Sequence, residues 1–357
     1  MSRGKMFVNE YFVNHFDKHN QIPTSEATVA LTVSILILLI GILFTTKVKP
    51  KNFICQEDHF RIESSTALRG IAIICLLYGH FAEKCIVGEY FFESAGRWAV
   101  IIFLFISGIG LIKKYSWSNL PTDFLYRRIA KLLPSVFAAT TLVLILDYAF
   151  LEKTYSPIIL ILGCLGIFST QSPDGPAWFI TYIIFLYTVY FLLSKIHIPT
   201  TRKIFILFAL CYGVSFGIWH IGKRAQYIEE WAQYAFVFPA AVAIGIYLPQ
   251  IFDFLIKIFI KHKARYLLAM FFIGYLYLNK TGQDVISNCI NSYTFSQTIQ
   301  MVYDLMLVFI TVMVTTIFDY YNFESSFLTI LGNYSFEIFL IHLPFMENYD
   351  FLLFRKP

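Results

Sequence analysis

Residues 27–46 read ATVALTVSILILLIGILFTT, and Lys47, Lys49 and Lys51 follow at once. About 20 apolar residues is the length an α-helix needs to cross a bilayer, and a lysine-rich flank marks its cytoplasmic end. The same alternation of apolar run and short basic loop recurs along most of the 357 residues. It sets the composition, 57% hydrophobic against 14% charged. A soluble domain is nearer half apolar and a quarter charged. The sequence therefore predicts an all-α, multi-pass membrane helix bundle.

Orientation follows from the basic loops. With Lys47, Lys49 and Lys51 inside, the amino terminus lies outside. Spans are then expected at about 66–83, 97–112, 132–150, 176–195, 203–220, 231–249, 266–278, 298–317 and 332–349. With 27–46 this gives about ten transmembrane helices. Glu83, Glu89 and Glu93 fit an outer loop, and Lys113, Lys114, Arg127, Arg128 and Lys131 fit the densest inner one. The stretch 157–169, PIILILGCLGIFS, is apolar but short. If it crossed, Lys195, Arg202 and Lys203 would lie outside, so it is read as re-entrant or interfacial. The segment ending in Lys257, Lys261, Lys263 and Arg265 is read as an amphipathic surface helix.

Within the second span, TALRGIAIICLLYGHFAEK, Arg69 and His80 stand in apolar surroundings. Their spacing in a 3.6-residue repeat puts them on one face, about 16 Å apart along the axis. An arginine buried in lipid costs about 2.5–3.5 kcal/mol or more unless it is paired or wet. Two polar groups on one face therefore predict a polar cleft inside the bundle. The plain alternatives are a snorkelling Arg69 and a packing His80.

At these residues the chain resembles acyltransferase family 3, multi-pass membrane O-acyltransferases of bacterial surface carbohydrates. The resemblance rests on Arg69 and His80 with LRGIAI and GH, on IIFLFISGIGLI at 101–112, and on FLYRRIAKLLP at 124–134. It also rests on PAWFITY at 176–182 and GNYSFEIFLIHLPF at 332–345. These blocks follow the family's order. The resemblance implies an acyltransferase family 3-like membrane domain over residues 62–357, with residues 1–61 as an N-terminal segment carrying one additional transmembrane helix. It further implies transfer of an acyl group, usually acetyl from acetyl-CoA, to a carbohydrate or lipid-linked glycan. The setting would be the bacterial cytoplasmic membrane.

The residue chemistry fits such a reaction. An alcohol is a poor nucleophile near neutral pH and needs a base within hydrogen-bond reach. His80 is the expected base, and Glu83, on nearly the same face, is read as orienting it or as a solvated loop acid. Arg69 suits the phosphates of acyl-CoA, because guanidinium binds phosphate through a planar fork and stays charged. Arg127, Arg128 and Lys131 form a second cationic patch, read either as orientation charges or as a mouth for the same phosphates. Ser107 next to Gly108 is read as close helix packing or as an approach to substrate. Trp178 is an interface aromatic or a sugar platform. Tyr334, Ser335 and His342 form a further candidate substrate group, with Glu337 beside them. Arg97 and Trp98 are read as interface anchors, Asp147 as a solvated acid, and Asp304 as an acid paired with an Arg or Tyr.

Other classes are disfavoured. The six cysteines stand singly, with no metal-like spacing, so no metal is expected. The net charge of +5 sits in short loops and signals no nucleic acid. The rival reading is a polysaccharide or glycolipid exporter without acyl transfer, since a polar intramembrane cleft would serve either role.

Overall fold

The computed structural model describes residues 24–48, 59–85, 90–118, 120–167, 172–173, 175–221, 231, 233–262 and 293–347. These residues are almost wholly helical. The elements are α1 (Thr24–Thr45), β1 (Thr46–Lys47), α2 (Ile62–Cys85), α3 (Tyr90–Lys114), α4 (Phe124–Leu151), α5 (Pro157–Cys164) and α6 (Ala177–Ser194). They continue as α7 (Thr200–Ile221), α8 (Val237–Ile246), α9 (Leu248–His262), α10 (Tyr293–Tyr320), β2 (Glu324–Ser325), α11 (Ser326–Asn333) and α12 (Ser335–Glu347). The two-residue strands pair antiparallel, Thr46 opposite Ser325.

Five described helices are long and apolar enough to span a membrane, and two bent pairs raise the number to seven. The expected ten are not all seen. The expected span 266–278 lies outside the described residues. The α1 helix, Thr24–Thr45, runs 22 residues and coincides with the expected span 27–46. The expected span 231–249 instead ends at Ile246, where α8 turns into α9 through 82°. Pro249 accounts for the break. It can sit in the first turn of α9 but cannot continue α8, because its ring would strike the carbonyl four residues back. The expected span 332–349 is also a corner, α11 meeting α12 at 70°. Gly332 and Asn333 are poor helix formers, and the Ser335 hydroxyl donates to the Gly332 carbonyl at 2.8 Å. The α5 helix has eight residues, about 12 Å, and cannot cross roughly 30 Å of hydrocarbon. That agrees with a segment that does not span.

The core forms where α2 packs against α3, α11 and α12, and where α3 packs against α8. The α2–α11 contact is backbone on backbone. A Cβ at Gly70 would come within 2.4 Å of the Leu328 carbonyl oxygen, and one at Gly332 within 2.0 Å of the Thr66 carbonyl oxygen. Only hydrogen at those two positions allows the approach. Small residues at helix seams are how membrane helices gain packing contact where lipid offers no hydrophobic drive.

The start of α2 is held by an acid from α10. Asp319 accepts from the Phe60 amide at 2.5 Å, the Arg61 amide at 3.3 Å and the Ser64 hydroxyl at 2.6 Å. It thereby ties the two residues leading into α2, and a hydroxyl of its first turn, to α10. Lys113, at the end of α3, donates to the His59 and Phe60 carbonyls at 2.7 and 3.1 Å. This lysine-rich end of the bundle contrasts with the far end, where α2 finishes and α3 and α10 begin.

Gly332→Ala is expected to push α11 off α2 and to cost about 1–3 kcal/mol. Thermal unfolding in detergent would show a lowered midpoint. An unchanged midpoint would mean that the seam yields freely.

Candidate functional site

The α2 helix carries Arg69 near the lysine-rich end and His80 near the far end. Opposite His80 lies His342 of α12, with ring centres 5.1 Å apart and planes inclined at 37°. The α11–α12 corner makes this possible. It lets α11 seal against the first half of α2 and turns α12 toward the second half.

His342 is 4% exposed. Its Nδ1 lies 2.6 Å from the Phe339 carbonyl oxygen. A carbonyl only accepts, so Nδ1 carries the proton and Nε2 keeps its lone pair. That Nε2 is buried and has no hydrogen-bond partner. Phe339 packs on the His342 ring at 5.8 Å and links it to Phe103 and Phe179, at 5.9 and 5.1 Å. The pair thus consists of one tautomer-fixed imidazole and a half-buried His80 facing it.

Arg69 turns the other way. Its Nη2 donates to the Thr66 hydroxyl at 3.0 Å, and Thr66 in turn donates to the Ile62 carbonyl. Side chains on a helix lean toward its start, so the guanidinium sits back toward the lysine-rich end. Its Nε is buried and unpartnered. Arg69 and His80 therefore address opposite ends of one helix face. Glu83 lies within α2, and its side chain is outside the described residues.

The other candidates divide. Arg128 turns inward, 5.5 Å from the ring centres of both Phe124 and Tyr187. Tyr187 shares a 2.8 Å hydrogen bond with Ser107, so Ser107 and Arg128 belong to one cluster. Arg127 and Lys131 are exposed, and Arg127 pairs with Asp123 at 2.7 Å. Gly108 lets α3 meet α8, since a Cβ there would lie 2.7 Å from the Ala241 methyl. Trp178 stacks on Tyr234 at 6.1 Å and touches Phe179, which leads through Phe339 to His342. Ser335 is buried and spends its hydroxyl on the corner. Tyr334 is exposed at that corner, and Glu337 is exposed and accepts from the Ser135 hydroxyl at 3.0 Å.

Three readings change. Arg97 is no interface anchor. It grips Asp304 through Nε at 2.7 Å and Nη2 at 2.9 Å, and donates through Nη1 to Gln233 at 2.6 Å. Tyr234 lies beneath the same guanidinium at 5.2 Å. Trp98 likewise turns inward, its indole N–H donating to the Thr311 hydroxyl at 3.1 Å. Asp147 is not solvated: it is fully buried and accepts from the Tyr155 hydroxyl. Burial first, then that bond to the carboxylate, pushes the Tyr155 phenol above its ordinary range. Sequence reasoning passed over Asp319 altogether. Its place as an acid just before the loop ending α10 was the available signal.

The fold and site define a membrane-embedded helical bundle with a histidine pair at one end and a cationic cluster at the other. The model of the acyltransferase domain of acyltransferase family 3 matches residues 62–356, and the chain belongs to that family. It is a multi-pass membrane acyltransferase. No curated protein and no solved structure matches the chain.

Removing the buried acid alone should be costly. Asp304→Ala removes the carboxylate that neutralises Arg97 in the bundle and is expected to lose about 3–5 kcal/mol. Leucine at both positions should recover most of that in thermal unfolding. Equal loss in the single and double variants would count against the pair as a unit.

Proposed function

We propose that the protein is an O-acyltransferase that moves an acyl group, acetyl in the usual case, from acyl-CoA to a hydroxyl of a surface or lipid-linked carbohydrate. The setting is the bacterial cytoplasmic membrane. The observation that carries this reading is the His80–His342 pair, deep in the bundle and at the opposite end from Arg69. The lysine-rich end faces the cytoplasm under the positive-inside rule, so a cytoplasmic donor arrives beside Arg69 and Arg128.

In this reading the donor phosphates rest on the two guanidinium groups, and the pantetheine arm runs along the α2 face toward His80. The acceptor hydroxyl gives its proton to His80 as its oxygen attacks the thioester carbonyl. A C–O bond forms and the C–S bond breaks. The thiolate recovers that proton and leaves as free CoA. The lone pair on His342 Nε2 accepts a hydrogen bond from the acceptor hydroxyl or from His80, and so holds the base in its working orientation. Trp178, three ring contacts from His342, offers a face on which a sugar ring stacks.

His80→Ala is expected to reduce acyl transfer by about 10²–10⁴-fold. The measurement is the acyl-ester content of surface polysaccharide by mass spectrometry, with polymer export scored in the same cells. Lost esters with polymer still exported supports the enzyme. Retained esters with failed export supports the carrier reading instead. His342→Ala should lower kcat more than it alters KM for the donor.

A further inference from the structure

Two arginines near the start of α2 have donors without protein acceptors. In Arg61, both Nε and Nη2 are buried and make no hydrogen bond. In Arg69 the same holds for Nε. Buried polar groups in native proteins are almost always satisfied, and a charged donor costs the most when it is not. Asp319 does not meet the need. Its Oδ1 is 3.6 Å from Arg61 Nε, beyond hydrogen-bond length, and the acid already accepts from Phe60, Arg61 and Ser64.

Arg97 supplies an internal comparison. It uses the edge formed by Nε and Nη2 to hold the two oxygens of Asp304 at 2.7 and 2.9 Å. Arg61 presents the same edge, also buried, with no such acceptor from the protein. This planar fork matches two oxygens of a carboxylate or a phosphate. Arg69, bonded to Thr66, has its head drawn back to about the level of that residue. Arg61 directly precedes α2 and Arg69 lies about two turns into it. Among the described residues no carboxylate sits at hydrogen-bond distance from either guanidinium. The Arg61 side chain is 13% exposed, so the group retains a path to the surface.

We infer that Arg61 is an additional, outer phosphate clamp, binding the 3′-phosphate of the donor's nucleotide while Arg69, with Arg128, binds its diphosphate. This rests on the acyl-CoA reading given above. The order follows from the donor's covalent layout. Its thiol end must reach His80, so the diphosphate lies nearer His80 and the 3′-phosphate farther out, as Arg69 and Arg61 are ordered along the chain. No bond is made or broken at Arg61.

The test uses the purified full chain in nanodiscs, with CoA and 3′-dephospho-CoA as calorimetric probes. Wild type should bind CoA more tightly than 3′-dephospho-CoA. Arg61→Gln should weaken CoA binding by about 10- to 100-fold and leave 3′-dephospho-CoA binding unchanged. Unchanged binding of the second probe also shows that the variant is folded. Arg61→Lys should restore part of the loss, because a point charge attracts phosphate without matching its geometry. Arg69→Gln should weaken both probes. Equal weakening of both by Arg61→Gln, or no weakening of either, overturns the assignment and leaves the donor reading intact. Failure of wild type to bind either probe overturns the donor reading and the assignment together.

Discussion

A charge inside a bilayer has no water to fall back on, so the bundle must supply its partners. Most of this structure can be derived from how that demand is met for one helix. The α2 helix carries a guanidinium and an imidazole on a face that has to be sealed from lipid. The seal is made by α3 along its length, by α11 across the Gly70 and Gly332 contacts, and by α12 beyond the corner. Without the bend at Tyr334 a single straight helix would cover one half of α2 and diverge from the other. The bend places His342 opposite His80.

The two ends of the bundle solve the demand differently. At the far end Arg97 and Asp304 neutralise one another with bidentate geometry, and Gln233 accepts from Nη1. A pair so enclosed gives the surrounding region no net charge. The lysine-rich end differs among the described residues. Arg128 lies over aromatic rings, and Arg61 and Arg69 each retain buried donors without protein acceptors.

Much of this was legible in the sequence, within a definite limit. Helical periodicity reports which residues share a face of one helix, so Arg69 and His80 could be aligned before any coordinates. Small residues such as Gly108 could be read as packing sites. Periodicity says nothing about which other helix that face meets. The partner of Asp304 was therefore left open between an arginine and a tyrosine, and Arg97 was read as an interface residue because it begins an apolar run. Asp147 was misjudged for the same reason: its distance from the helix end was legible, but Tyr155 folding back over it was not. The two corners were hidden because hydropathy averages over a window. It sees Ser326–Asn333 and Ser335–Met346 as one apolar run whether or not they are collinear.

The histidine pair shows why the corner had to be seen before the chemistry could be argued. His342 alone, on an apolar helix, reads equally well as a packing residue. Its hydrogen bond to the Phe339 carbonyl removes one of the two possible neutral tautomers. Burial removes the solvent that would otherwise occupy the remaining nitrogen. What is left is a single lone pair held on a rigid ring, 5.1 Å from the centre of a second imidazole. Packing alone would not require Nε2 to go without a partner, and an apolar side chain of similar size would fill the space at lower cost. A buried acceptor of that kind has a physical rationale when another molecule completes it.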